Sequence, residues 1–159
     1  MIFQYTVPGK FLLDSIPLQF GLSRDLVRAK LGGGHEAQNE EISLGDGDPA
    51  IVRRRDIYNR LDSTGAHFFL CYNNQDLLTE VEIRRCKRIK IFGIEFNFRD
   101  EAELIAEELS GHSPLIRKSD GEYFFPELQL MLIDEKHMGG WDSNMLDCFY
   151  YAADTSHLH

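Results

Sequence analysis

The sequence predicts an α+β fold. It reads as a single domain of two repeated strand-helix-strand-strand units, whose strands make a mostly antiparallel sheet packed by helices. The first observation behind this is a repeated phrase. IPLQFGLSRDLVRAKLG at 16–32 reads as a short strand running into a helix, and IEFNFRDEAELIAEEL at 94–109 reads the same way. Laying Ile16 on Ile94 brings Leu18 onto Phe96, Phe20 onto Phe98, Leu26 onto Leu104, Val27 onto Ile105 and Leu31 onto Leu109. In both copies the apolar spacing changes from the period of two of a half-buried strand to the 3.6 of an amphipathic helix. The second observation is that each phrase leads into a polar segment and then two more strand-like runs. The third is size: 159 residues, 43% of them hydrophobic, suffice for one self-supporting core.

In the first unit, Ser23 is placed to cap a helix, with Leu22 and Val27 at the spacing of a hydrophobic staple. The glycines at 32–34 end it. The segment 35–49 (HEAQNEEISLGDGDP) is rich in Gly, Asp and Asn and reads as a loop. HFFLCYNNQDLLTEVEI at 67–83 is a hairpin turning at 73–76. In the second unit, Asp100 and Glu103 have capping-box spacing, the acidic first turn suits the helix dipole, and the Ser-Gly pair at 110–111 stops the helix. A second loop is expected over 112–122. Strands over 127–134 and 145–152 then form a hairpin with a wider connection. The units span about 16–83 and 94–152 within a domain of 1–154, leaving 155–159 as a flexible tail.

No apolar run approaches the roughly 20 residues of a membrane-spanning helix, and the first residues, MIFQYTVP, lack the basic start and small-residue cleavage site of a signal peptide. A cytoplasmic location without membrane contact is expected. Cys71, Cys86 and Cys148 form no C-x-x-C pair and read as reduced core thiols. The net charge of −9 argues against nucleic acid as a direct partner, because phosphate binding draws its affinity from Lys and Arg. Residues 53–90 nevertheless hold nine of the seventeen basic side chains and five of the twenty-six acidic ones, which predicts two faces of opposite sign. The basic runs RRR at 53–55 and RRCKRIK at 84–90 read as neutralising the protein's own acidic surface.

The inventory of chemistry is sparse. No G-x-S-x-G elbow occurs. GGGH at 32–35 follows a helix and lacks the G-K-[ST] ending, so it is a helix stop and not a phosphate cradle. GDGDP at 45–49 lacks the remaining ligands of an EF-hand loop and reads as a turn. Glu101, Glu103, Glu107 and Glu108 read as a solvated helix face able to attract a basic partner. His67 is expected to be structural, and His157 and His159 belong to the tail. No catalytic residue, cofactor or metal is expected. The alternative reading is a small enzyme or small-molecule-binding module with a cleft between the two units, using His35, His112 or His137. A scaffold protein would instead expose a large apolar patch.

With that pattern, the phrases at 16–32, LLTEVEI at 77–83 and IKIFGIEF at 89–96 resemble small bacterial immunity proteins of the polymorphic-toxin kind, as paired with contact-dependent growth-inhibition toxins. The similar phrases cover under half of the chain. The resemblance implies a cytoplasmic, non-enzymatic inhibitor that binds the C-terminal toxin domain of its own system, a basic nuclease-type domain, and covers its active site. Acidity suits that role, since negative charge steers association with a basic groove. The expected contact residues are Glu36, Glu40, Glu41, Asp46 and Asp48 on the first polar segment and Glu107 and Glu108 on the second helix. Trp141 and Tyr123 are candidate aromatic anchors, a core position being equally consistent for Tyr123.

Overall fold

A computed structural model describes residues 1–43, 51–139 and 142–156, and it is an α+β domain of two stacked sheets. The chain opens with β1 (Ile2–Val7), then the hairpin β2 (Lys10–Leu13) and β3 (Ile16–Gln19), helix α1 (Arg24–Leu31), strands β4 (Glu36–Ile42) and β5 (Ile51–Arg60), the single turn α2 (Leu61–Thr64), and strands β6 (Ala66–Tyr72) and β7 (Leu78–Arg85). The same order then repeats. Hairpin β8 (Arg88–Ile91) and β9 (Ile94–Phe96) leads to α3 (Ala102–Ser110), strands β10 (Ile116–Ser119) and β11 (Glu122–Phe125), a 3-10 turn (Pro126–Leu128), and strands β12 (Leu130–Asp134) and β13 (Leu146–Ala152). Each repeat thus begins one strand earlier than the sequence phrases, with a hairpin ahead of its helix.

Two sheets replace the single one expected. The smaller has the order β3-β2-β1-β8-β9, its one parallel pairing being β1 with β8. The larger has the order β10-β11-β12-β13-β7-β6-β5-β4 and is antiparallel throughout. At its centre Tyr150 lies opposite Glu82, with Phe149 opposite Ile83 and Tyr151 opposite Val81. A two-fold rotation about the Tyr150–Glu82 pair exchanges the two halves of the sheet. Helix attachments obey the same rotation. The Leu78 amide donates to the Leu22 carbonyl at 2.8 Å, as Leu146 does to Asp100 at 3.0 Å. The Arg24 amide donates to the Asp76 carbonyl at 2.8 Å, as Ala102 does to Asn144 at 2.9 Å.

The core lies between the sheets. Phe68, Leu70, Val81, Ile83, Leu130, Leu132, Phe149 and Tyr151 face Phe3, Phe11, Leu13, Ile89, Ile91 and Phe96, with Val27 of α1 and Ile105 and Leu109 of α3 closing the ends. Tyr151 ties the layers together: its ring packs against Phe3, Tyr5, Phe11 and Phe20, and its hydroxyl accepts the Gly9 amide at 2.6 Å.

Several local expectations change. Both segments read as loops carry edge strands, β4 and β10, because the periodicity that marks a strand is weak where neither face is buried: all of β4 is exposed or half-buried. Ser23 caps α1 as expected, accepting the Leu26 amide at 3.4 Å. The second helix is instead capped at Glu101, and the Asp100 carboxylate turns back to take the Asn97 amide at 2.8 Å. Leu26 and Leu104, paired in the sequence repeat, are both exposed, so they match without belonging to the core. Thr155, assigned to the tail, is buried.

Candidate functional site

The two halves differ in charge far more than in shape. Residues 1–93 carry twelve acidic and thirteen basic side chains, whereas 94–152 carry thirteen acidic and four basic ones, so the second half holds essentially the whole net charge of −9. Burial of one face of α3 places its carboxylates outward. Ala102, Ile105, Ala106 and Leu109 are buried, and Glu101, Glu103, Glu107 and Glu108 are exposed. Among them stands Leu104, 59% exposed, over a cavity of about 430 Å³ lined by Phe96, Ile105, Met145, Glu101 and Glu108. Apolar surface ringed by charge is the usual composition of a protein-binding patch.

The expected contact residues divide between two surfaces. Glu36, Glu40 and Glu41 lie on β4 and not on a loop, and their strand pairs with the most basic stretch of the chain: Glu40 is opposite Arg53, Glu41 opposite Val52 and Glu36 opposite Ile57. This first-half acidity adjoins cationic side chains within the same sheet. Asp46, Asp48 and Trp141 lie outside the described residues. Glu107 and Glu108 sit on the exposed face of α3 with Glu101, which the sequence grouped with them, and the structure adds Leu104 beside them. Tyr123 is buried at 5% exposure, so it belongs to the interior and not to a surface anchor.

The three histidines of the alternative reading are held apart. His35 follows α1 with its ring 5.7 Å from Tyr58. His112 follows α3 and stacks on Phe92 at 5.1 Å. His137 lies beyond β12, its Nε2 3.1 Å from Glu122 and its Nδ1 3.2 Å from the Asp120 carbonyl. Ser119 completes this group, donating to Glu122 at 3.1 Å. Here the hydroxyl reaches both the carboxylate and the imidazole, its Oγ lying 3.4 Å from His137 Nδ1, so the three side chains form one closed group that braces the β10–β11 turn.

His137 borders a polar cavity of about 700 Å³, also lined by Glu103, Asp120, Gly121, Tyr123, Asp134, Lys136 and Asn144. It lies within the second half and not between the halves. Gly121 is required there: its φ is +96°, and a Cβ would fall 2.5 Å from both Asp134 carboxylate oxygens.

Beneath α1 the first half holds a buried ion cluster that its sequence did not disclose. Asp56, with no accessible surface, takes Arg24 Nε at 3.0 Å and Nη2 at 2.7 Å, and Arg28 Nε at 2.8 Å and Nη2 at 2.7 Å. Burial raises its carboxyl pKa, but hydrogen bonds and charge from Arg28 and Arg24 more than reverse this and hold it below its ordinary value. Burial likewise pushes the Cys71, Cys86 and Cys148 thiols up to about 12, so they are protonated and poorly nucleophilic near neutrality. Among the described residues, no three His, Cys, Asp or Glu side chains converge as a metal site, and no helix is long and apolar enough to cross a membrane. No family model, curated protein or solved structure matches the chain.

Proposed function

We propose that this chain is a binding protein whose acidic second half covers a basic surface of a protein partner, acting as an immunity protein against a cognate nuclease-type toxin domain. The observation that carries the reading is the concentration of the net charge in residues 94–152, with Glu101, Glu107 and Glu108 displayed around the exposed Leu104 on one helix face. Carboxylates fixed on a rigid helix steer a basic domain into contact, and the apolar centre then holds the complex. A groove occupied in this way is closed to nucleic acid. The resemblance of the phrases at 16–32, 77–83 and 89–96 to immunity proteins supplies the class of partner.

The test asks whether an adjoining reading frame encodes a protein ending in a basic toxin domain, pairs the chain with that domain and measures association against ionic strength. Glu101→Lys with Glu108→Lys should lower the association rate at least about tenfold at low salt, an effect that salt erases. Glu36→Lys with Glu40→Lys should change it less than about threefold, because β4 already adjoins Arg53. If the β4 substitutions slow association more than those on α3, the surface has been misplaced.

A further inference from the structure

The basic run at 84–90 divides in the structure. Arg84 pairs with Asp147 at 2.6 Å, and Arg88 and Lys90 hold Glu95 at 2.6 and 2.7 Å, so these three neutralise the chain's own acids. Arg85 and Lys87 do not: both are exposed, and neither has an ion pair among the described residues. They line a cavity of about 520 Å³ where the chain passes from β7 in the large sheet to β8 in the small one. Arg99, also exposed and without an ion pair among the described residues, faces them from the link between β9 and α3. Asp62 and Asp100 adjoin lining residues in sequence but are not part of the wall, and Asp100 takes the Asn97 amide at 2.8 Å. Cys86 adds no negative charge, since burial keeps its thiol protonated near neutrality. The rotation that exchanges the halves places Ala153 at the position of Arg85 and Gly21 at that of Arg99, while Phe20 matches Phe98. One copy keeps the ring and dispenses with both guanidiniums, so the fold itself does not require this charge.

We propose that this cavity binds the phosphate group of a small phosphate monoester. Three cations without acids, gathered in one concavity of a chain whose net charge is −9, call for a multiply charged anion. A carboxylate brings one charge, whereas a phosphate monoester brings nearly two and three strong acceptor oxygens. Two guanidinium forks match those oxygens, and the Lys87 ammonium supplies a third point of charge. Arg85 is steadied for this by lying 6.0 Å over the Phe98 ring. Asn97 adds a neutral donor: its Oδ1 is occupied by the Arg99 amide at 2.9 Å, and its Nδ2 has no acceptor among the described residues. The volume is in the range of small-molecule sites and leaves room beyond the phosphate, where the half-exposed Leu61 offers apolar surface to an organic group. A long polyanion fits less well. Arg99 also borders the groove beside α3, so a strand continuing past it would meet Glu95, Glu101 and Glu108. The site is separate from the acidic partner surface and does not rest on it.

The test titrates the full chain with phenyl phosphate and follows the backbone amide resonances of Gly65, Lys87 and Asn97. Saturable shifts centred on these residues are expected, with affinity at least about threefold above that of inorganic phosphate and at least about tenfold above that of benzoate. Arg85→Gln with Arg99→Gln should weaken binding at least about tenfold, and Lys87→Gln alone at least about threefold. Lys87 is tied into the fold by its main chain, the amide reaching the Met1 carbonyl at 2.9 Å, so its variant reads out even if loss of Arg85 from Phe98 disturbs folding. Absence of saturable shifts with phenyl phosphate overturns the proposal. So does equal affinity for benzoate, or binding that Lys87→Gln and the double variant both leave unchanged. An oligonucleotide without a terminal phosphate that displaces phenyl phosphate and binds more tightly also overturns it, since the cavity would then be a contact for a nucleic-acid backbone.

Discussion

Replacing Asp56 by Asn removes the one buried carboxylate that two guanidiniums share. The carboxylate has no accessible surface, the Arg24 side chain is 8% exposed and that of Arg28 27%, so two guanidiniums remain in or near the interior without their shared carboxylate, Arg24 keeping only the half-exposed Asp76 at 3.6 Å. Breaking such a buried pair costs about 3–5 kcal/mol. The lower end applies here, because Arg24 retains Asn39 and the Arg55 carbonyl and Arg28 reaches solvent. For a chain of this size a loss of about 3 kcal/mol lowers the melting temperature by roughly 6–12 °C. The second half shows what an uncharged solution looks like: Ala102, Ala106 and Tyr123 occupy the positions of Arg24, Arg28 and Asp56. The triple substitution Arg24→Ala, Arg28→Ala, Asp56→Tyr should therefore recover stability to within about 1.5 kcal/mol of the native chain, since buried ions exchange for packed apolar groups at little net cost. Urea unfolding of the three proteins measures both differences. An Asp56→Asn variant within about 0.5 kcal/mol of native, or a triple variant no more stable than the single one, would refute the reasoning.

The same cluster sets an acid limit. Because the folded pKa of Asp56 is below its ordinary 3.8, its stabilisation is present above that value and is lost as pH falls through it toward the lower folded value, so native Asp56 should make unfolding midpoints fall more steeply below pH 4 than they do in the triple variant. Gly121→Ala should destabilise by about 2 kcal/mol or more, combining left-handed backbone with a Cβ set against Asp134, and a thermal melt near the native midpoint would contradict this. Tyr151→Phe strands the Gly9 amide and should cost about 1–2 kcal/mol in denaturant unfolding with little change in m-value. The buried thiols of Cys86 and Cys148 should react with a disulfide reagent at pH 8 only on the unfolding timescale, and labelling of both within seconds would contradict this.

The repeat was legible because strand-to-helix phrases carry two periods in succession, and the matching burial of Val27 with Ile105 and Leu31 packing beside the core at the place of Leu109 follows from that. The hairpins β2–β3 and β8–β9 were harder to read, since FLLDSIPL turns on Asp-Ser without the glycine of a usual hairpin turn and IKIFGIEF reads as one strand. In the second, Phe92 and Gly93 both take positive φ, 52° and 86°, and a phenylalanine there gives no sequence signal of a turn. Strand β4 was missed for the opposite reason: its side chains are polar on both faces, and only pairing with β5 reveals it. That error carried over to the site. Acidic residues read as a free loop proved to be neighbours of Arg53, Arg54 and Arg55, while the α3 carboxylates, fixed by helical period, stand on its exposed face. Neither the Asp56 cluster nor the cavity was visible in the sequence, because each unites residues from a helix, two strands and a turn.

Amide hydrogen exchange of the protein, free and mixed with a basic nuclease-type domain of the proposed class, decides where the partner sits. Protection on binding should concentrate in α3 and the β10–β11 turn, leaving β4 and β5 unchanged. Protection confined to β4 and β5, with α3 exchanging as in the free protein, would contradict the assignment of the partner surface to the acidic half.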